Sequence, residues 1–223
     1  MDLRLFGRIR QLLQSVDQRL AGDEEEFGLS QQGELLVALS TSPYGETVRA
    51  GRAFEVHTTA ALAAVVAVPT TAIMLGIYNN EPDDGRVYII DRAWALMAAG
   101  TAAAGQAALI GCLGQTRVAS PTSASLAINS LNGMGGKDTR VINATAALDA
   151  VTGVAANWRV LPGQTGGQKV GAAATPGVYI NADINGRIIL PPGREFAVHV
   201  LADVVGSTFT AGIEWHEKHM ELG

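Results

Sequence analysis

Cysteine is nearly absent: Cys112 is the only one among 223 residues. That excludes an intramolecular disulfide and a thiolate zinc cage. Cys112 lies in the apolar stretch Ala107-Ala108-Leu109-Ile110-Gly111-Cys112-Leu113 and reads as a small buried hydrophobe. Charge is scarce too, at 17% of residues against about a quarter in ordinary soluble domains. With 48% hydrophobic residues, this is not a disordered, self-solvating chain. The formal net charge of −5 has the wrong sign for holding duplex nucleic acid by its field. Long hydrophobic runs are missing. Ala60 to Val68 stops at Pro69, well short of the roughly 20 residues that span a bilayer. Met1 to Arg8 carries charge throughout and no signal-type apolar core, so the expectation is a chain neither exported by the usual route nor inserted in a membrane.

Small residues are abundant, with 26 glycines, and the length suffices for a core without staples. The first twenty residues stand apart. Leu5, Ile9, Leu12, Val16 and Leu20 recur at helical spacing, with Phe6 and Leu13 beside them. Gly22 is a plausible C-cap, and Asp23-Glu24-Glu25-Glu26 is an acidic break. The apolar stripe suits a helix packed on its own domain, a docking arm or coiled-coil seam, or, least well, membrane-surface adsorption. A second helical candidate covers about 30–39. The expected organisation is a helical arm and linker over residues 1–50, then a β-sandwich domain over 51–223. A loop-rich insertion around 115–175 belongs to the second part.

From Arg52 onward the pattern is short strands and turns. Ala72–Tyr78 and Arg86–Met97 flank the turn cluster Asn79-Asn80-Glu81-Pro82-Asp83-Asp84-Gly85 and predict a hairpin, with Gln106–Leu113 beside it. Asn185-Gly186 predicts a turn between Val178-Tyr179-Ile180 and Arg187-Ile188-Ile189-Leu190, and Pro191-Pro192-Gly193 a hard stop. Glu195–Val205 and Thr208–His216 complete the set. On the last strand Phe209, Ile213 and Trp215 are expected to point inward, with Thr210 and Glu214 outward. Strands at such intervals indicate an antiparallel sandwich rather than βαβ units.

Chemical motifs are few. Gly133-Met134-Gly135-Gly136-Lys137 lacks both the earlier glycine, where Leu131 stands, and the Ser or Thr, where Asp138 stands, of a phosphate loop. No Gly-x-Ser-x-Gly elbow occurs. His216-Glu217-Lys218-His219 reads as a solvated tail rather than a metal site, and His57 and His199 as sheet residues. Glu81, Asp83 and Asp84 read as an acidic turn, too few and too close for a calcium loop. Asn143-Ala144-Thr145 matches a glycosylation sequon, read as coincidental. Trp94, Trp158 and Trp215 read as core or rim packing, without the basic interleaving of a single-strand binding face. Neither catalytic residues nor a cofactor or metal site is expected.

Ile188-Ile189-Leu190-Pro191-Pro192-Gly193, the strand Phe196–Val205 and the closing strand Thr210–Glu217 follow Gly76-Ile77-Tyr78-Asn79-Asn80 and Arg86-Val87-Tyr88-Ile89-Ile90-Asp91. Over roughly Phe54 to Trp215 this texture resembles virion structural proteins of tailed bacteriophages. The resemblance implies a mainly β, antiparallel, jelly-roll-like sandwich with an N-terminal α-helical arm. It implies a non-enzymatic head accessory (decoration or cement) subunit located in the virion and made in the host cytoplasm. Leu5, Phe6, Ile9, Leu12, Leu13, Val16 and Leu20 would dock it onto major capsid or other virion proteins. Exposed strand edges favour a homo-oligomer, a trimer before a dimer. Direct nucleic-acid and membrane partners are not expected. Two alternatives stand: a receptor- or carbohydrate-binding fibre or tail module, with Trp158 as the candidate aromatic, and an enzyme acting on a surface polymer.

Overall fold

A computed structural model describes residues 45–69, 73–83, 85–100, 105–114, 128–133, 140–143, 157–165, 167–169, 178–203 and 206–219, all within the compact unit Tyr44–Gly223. The expected helices over 1–20 and 30–39, and the docking stripe from Leu5 to Leu20, lie outside these residues. A short helix, Gly45–Arg49, precedes the first strand. The strands in chain order are β1 (Ala53–His57), β2 (Leu62–Ala63), β3 (Leu75–Tyr78), β4 (Val87–Ala99), β5 (Gly105–Leu113) and β6 (Asn129–Ser130). They continue with β7 (Arg140–Asn143), β8 (Trp158–Val160), β9 (Gln164–Thr165), β10 (Gly167–Lys169), β11 (Tyr179–Leu190), β12 (Glu195–Ala202) and β13 (Thr208–Lys218).

Among the described residues these strands form two antiparallel sheets. The larger runs β6-β1-β13-β4-β11-β9, with β2 beside the start of β13. The smaller runs β10-β5-β12-β3-β7, with β8 also on β5. One apolar cluster joins their facing sides, as in a sandwich. Phe54, Ile90, Ala182, Ile213 and Trp215 come from the larger sheet, and Leu75, Ile77, Leu109, Phe196 and Val198 from the smaller. Trp215 is fully buried between the rings of Phe54 and Tyr88, at centroid distances of 5.8 and 5.9 Å. The inward set Phe209, Ile213 and Trp215 is as the alternation of the last strand predicts.

Several local expectations are corrected. Ala72–Tyr78 and Arg86–Met97 do not make a hairpin. β3 lies in the smaller sheet and β4 in the larger, so their turn crosses the sandwich. Gln106–Leu113 accordingly pairs with β12 in the smaller sheet, not with β4. Asn79 explains how the crossover is held. It is fully buried, and its Nδ2 donates to the carbonyls of Arg86 and Leu190, both at 2.9 Å. Its own N–H donates to the Arg194 carbonyl, and its carbonyl accepts from Gly193 N–H. One side chain thus ties the β3–β4 crossover to the β11–β12 crossover, with its polar groups satisfied.

Asn185-Gly186 is not a hairpin turn either. Both residues have positive φ, 50° and 75°, but the flanks Tyr179–Asp183 and Ile188–Leu190 pair with the same neighbour, β4. The dipeptide is an extrusion within one strand, a bulge rather than a reversal. Gly163-Gln164-Thr165, within the insertion expected to be loop-rich, holds β9, and the Gln164 amide oxygen accepts from Leu109 N–H of the opposite sheet at 2.9 Å. β4, with 13 residues, nearly coincides with the expected Arg86–Met97, whereas β11, with 12, joins two pieces expected as separate strands.

Candidate functional site

The outward side of the larger sheet carries the best-defined group of polar and aromatic side chains. It is built by alternation and one irregularity. Along β4, Ala93, Ala95 and Met97 point into the core, so Trp94 and Leu96 point out. Just before them the pairing with β13 shifts, from Glu214↔Arg92 to Trp215↔Ile90, leaving Asp91 as an extra residue. Bulges re-aim side chains. Here Arg92 meets Glu214, donating from Nε at 3.0 Å and from Nη2, while Asp91 meets His216.

Two rows cross the sheet in register. The first is Glu55, Glu214, Arg92 and Asp183, on β1, β13, β4 and β11. Glu55 and Glu214 are like charges directly opposite one another, a destabilising pairing unless a cation intervenes. Arg92 supplies it. Its hydrogen bond from the guanidinium to Glu214 raises its pKa, burial opposes this, and the charges of Glu214, Tyr179 and Asp183 add to the rise. The second row is His57, Gly212, Trp94 and Asn181. Gly212 is required there: a Cβ would collide with Cε2, Cζ2 and Nε1 of the Trp94 indole, which lies across it. The indole has the His57 ring on one side, centroids 6.4 Å apart and inclined by 30°, and the Tyr179 ring on the other, 6.5 Å and 31°. Leu96, opposite Tyr179, extends the apolar area. Asn181 donates through Nδ2 to Asp183 Oδ1 at 2.7 Å.

Next to these rows His216 Nδ1 lies 2.8 and 3.0 Å from the Asp91 carboxylate oxygens. The expectation of a solvated tail for His216–His219 is therefore corrected. His216 and Glu217 belong to β13, His216 is held by Asp91, and Glu217 is buried with Arg86 Nη1 3.5 Å from its carboxylate. An Asp–His pair is half of a nucleophile-activating arrangement, and the register partners of His216 are Ala53 and Ile89. Cys112 lies in the other sheet, fully buried, its thiol pushed up to about 11 by burial. That pKa suits an inert structural residue. Among the described residues no three metal-ligating side chains converge, and no helix is long and apolar enough to cross a membrane.

Trp158, the aromatic expected for a carbohydrate module, is buried on the outer side of the smaller sheet against Ile73, Ile110, Cys112 and Ala197. Among the described residues of the larger sheet, Trp94 and Tyr179 are the aromatics that point outward. The pattern Ala93-Trp94-Ala95-Leu96-Met97 carried a signal for this, because the two alanines and the methionine share one phase and the tryptophan the other. The stripe Leu5, Phe6, Ile9, Leu12, Leu13, Val16 and Leu20 lies outside the described residues. No protein-family model matches the chain, and no curated protein is significantly similar to it.

Proposed function

We propose that the chain is a non-enzymatic structural subunit of a tailed-bacteriophage virion, a head accessory protein of the decoration or cement type with a jelly-roll-like sandwich. The strand order carries this reading. With β2, β6, β7, β9 and β10 set aside, the larger sheet reads β1-β13-β4-β11 and the smaller β3-β12-β5-β8. Taken in chain order, those eight strands are distributed as first, eighth, third and sixth against second, seventh, fourth and fifth. That distribution matches the one expected of a double-Greek-key jelly roll and so supports the reading, since jelly rolls recur in viral capsid and lectin domains. The crossovers tied by Asn79 are what such a roll needs, since every connection among these eight strands except β5 to β8 passes from one sheet to the other.

In this reading the sandwich sits on the shell and the N-terminal stripe Leu5, Ile9, Leu12, Val16 and Leu20, with Phe6 and Leu13, docks it there or bundles it into a homotrimer. Each aliphatic side chain buried on docking contributes about 1.5–3 kcal/mol, less the cost of ordering the arm. The test is mass spectrometry of purified particles from the producing lysate, with copy number, and co-sedimentation of a variant lacking residues 1–22. Copies in the hundreds and weakened co-sedimentation of the folded truncation are expected. Absence from the particles overturns the reading, and undiminished binding of the truncation removes the arm from it.

A further inference from the structure

We propose that the outward face of the larger sheet is a binding ledge for a neutral hexopyranose unit of a glycan, stacked on Trp94 and Tyr179. This goes beyond the virion role and holds or fails independently of it. Large apolar groups on an open sheet face call for a reason. Tyr179 is 47% and Leu96 39% exposed, and the His57 side chain 46%. The half-buried Trp94 indole sits between those two rings, supported from below by Gly212, the residue that leaves room for it. A pyranose ring has one side rich in C–H groups and a rim of hydroxyls. An aromatic ring takes the C–H side, and a few fixed polar groups at its border take the hydroxyls.

The border here has that chemistry. Asp183 is oriented by the amide of Asn181 at 2.7 Å and keeps acceptor capacity. The Oδ1 of Asn181, in register with Trp94, is buried and accepts no hydrogen bond. That atom is closed to solvent, so the acceptors open to a ligand hydroxyl are the carboxylates of Asp183 and Glu55. Glu55 and Thr210 lie on the same side of the sheet, Thr210 with its hydroxyl directed at the Leu96 carbonyl.

Charge selects among ligands. Near the rings the face carries Glu55, Glu214 and Asp183, with Arg92 engaged by Glu214, while Asp91, Lys218 and Arg187 lie further along the strands. Phosphorylated or uronic sugars would meet net negative charge, so the ligand is a neutral one. A quaternary ammonium is held best by rings arranged around it. Here the three rings form a row of shallow steps, each inclined about 30° to the next, which suits the broad C–H side of a sugar ring better.

The test uses the full-length chain and saturation-transfer NMR with gluco-, galacto-, manno- and N-acetylglucosamine oligosaccharides. Oligogalacturonate and choline serve as charged comparators, and Trp94→Ala and Tyr179→Ala as variants. The expected result is millimolar or tighter binding of at least one neutral series, weakened at least about tenfold in Trp94→Ala without a change in melting temperature. Absence of binding by every neutral series overturns the proposal. So does binding unaffected by both substitutions, or preference for choline or the galacturonate. Should Trp94→Ala instead convert an oligomer to monomers in sedimentation, with no sugar bound by the parent, the face is an interface between copies and the ledge is refuted.

Discussion

The two sheets treat their outer sides differently. In the larger sheet β13 alternates core and outward residues, and its outward positions hold Thr210, Glu214 and His216. In the smaller sheet β12 is buried at nearly every position and β3 at all four. The outer side of β12 carries Ala197 and His199, and a second apolar cluster of Ile73, Ile110, Cys112, Trp158 and Ala197 lies there. A strand buried on both faces reads as a continuous apolar run, whereas one with a wet face reads as period two. The same difference separates what each sheet can do. The centre of the smaller sheet, β3 and β12, is enclosed on both sides, and the larger sheet offers an open face with rings and carboxylates.

Two tryptophans on opposite faces of the larger sheet give that comparison its sharpest test. Trp215→Ala should destabilise by about 3–5 kcal/mol, the range for large-to-small aromatic changes in a core. Trp94→Ala, on the outer face, should stay near the roughly 0.5 kcal/mol typical of surface changes. Urea unfolding of both variants decides it. Equal losses would mean that the outer face is as packed as the inner one, and the contrast between the sheets would collapse.

A smaller effect is expected where the sheets are joined. Asn79→Ala removes the donor to the carbonyls of Arg86 and Leu190 and the acceptor for Glu81 N–H. Leaving a buried polar group unsatisfied costs about 1–3 kcal/mol, so the loss should fall below that of Trp215→Ala. Asn79→Asp keeps the acceptor and loses the donor, and should recover little. If Asn79→Ala unfolds at the parental midpoint, water replaces the side chain and the crossovers do not depend on it.

The sequence was most legible where one face is wet. Thr208–His216 alternates so strictly that the inward set Phe209, Ile213 and Trp215 follows from period alone. It was least legible where two structures make the same local demand. Asn185-Gly186 supplies two positive-φ residues in succession, and a tight hairpin turn and an extruded bulge both need them. Only the pairing of both flanks with β4 decides between the two. Likewise Asn79–Gly85 announces a turn but not whether the chain returns to the same sheet. The aromatic ledge was hidden for a related reason. Its members His57, Trp94 and Tyr179 are far apart in the chain, and register across four strands brings them together. The Asp91–His216 contact depends on a bulge that no residue pattern marks.

The smallest expected effect concerns pH and distinguishes the enclosed side from the open one. His199 is buried on β12, with Ile110 opposite it and Ala197 and Leu201 two positions either way. No carboxylate stands among these neighbours to offset the loss of water. Burial lowers the pKa of His199 below its usual value of 6.5, and the hydrogen bonding with the Val200 backbone opposes this in part. Val200 N–H donates to Nδ1 at 2.9 Å, which suits the neutral ring. The folded state therefore binds fewer protons than the unfolded state just below pH 6.5. The contribution of His199 is fully present above the unfolded pKa and is lost as pH falls through that value toward the folded one. His199→Gln cannot take up the proton. Its urea midpoint should decline less between pH 7.5 and pH 5, roughly the span in which histidine titrates, and carboxylate effects common to both proteins cancel. Parallel declines would show that water reaches His199, and that the outer side of the smaller sheet is as open as that of the larger.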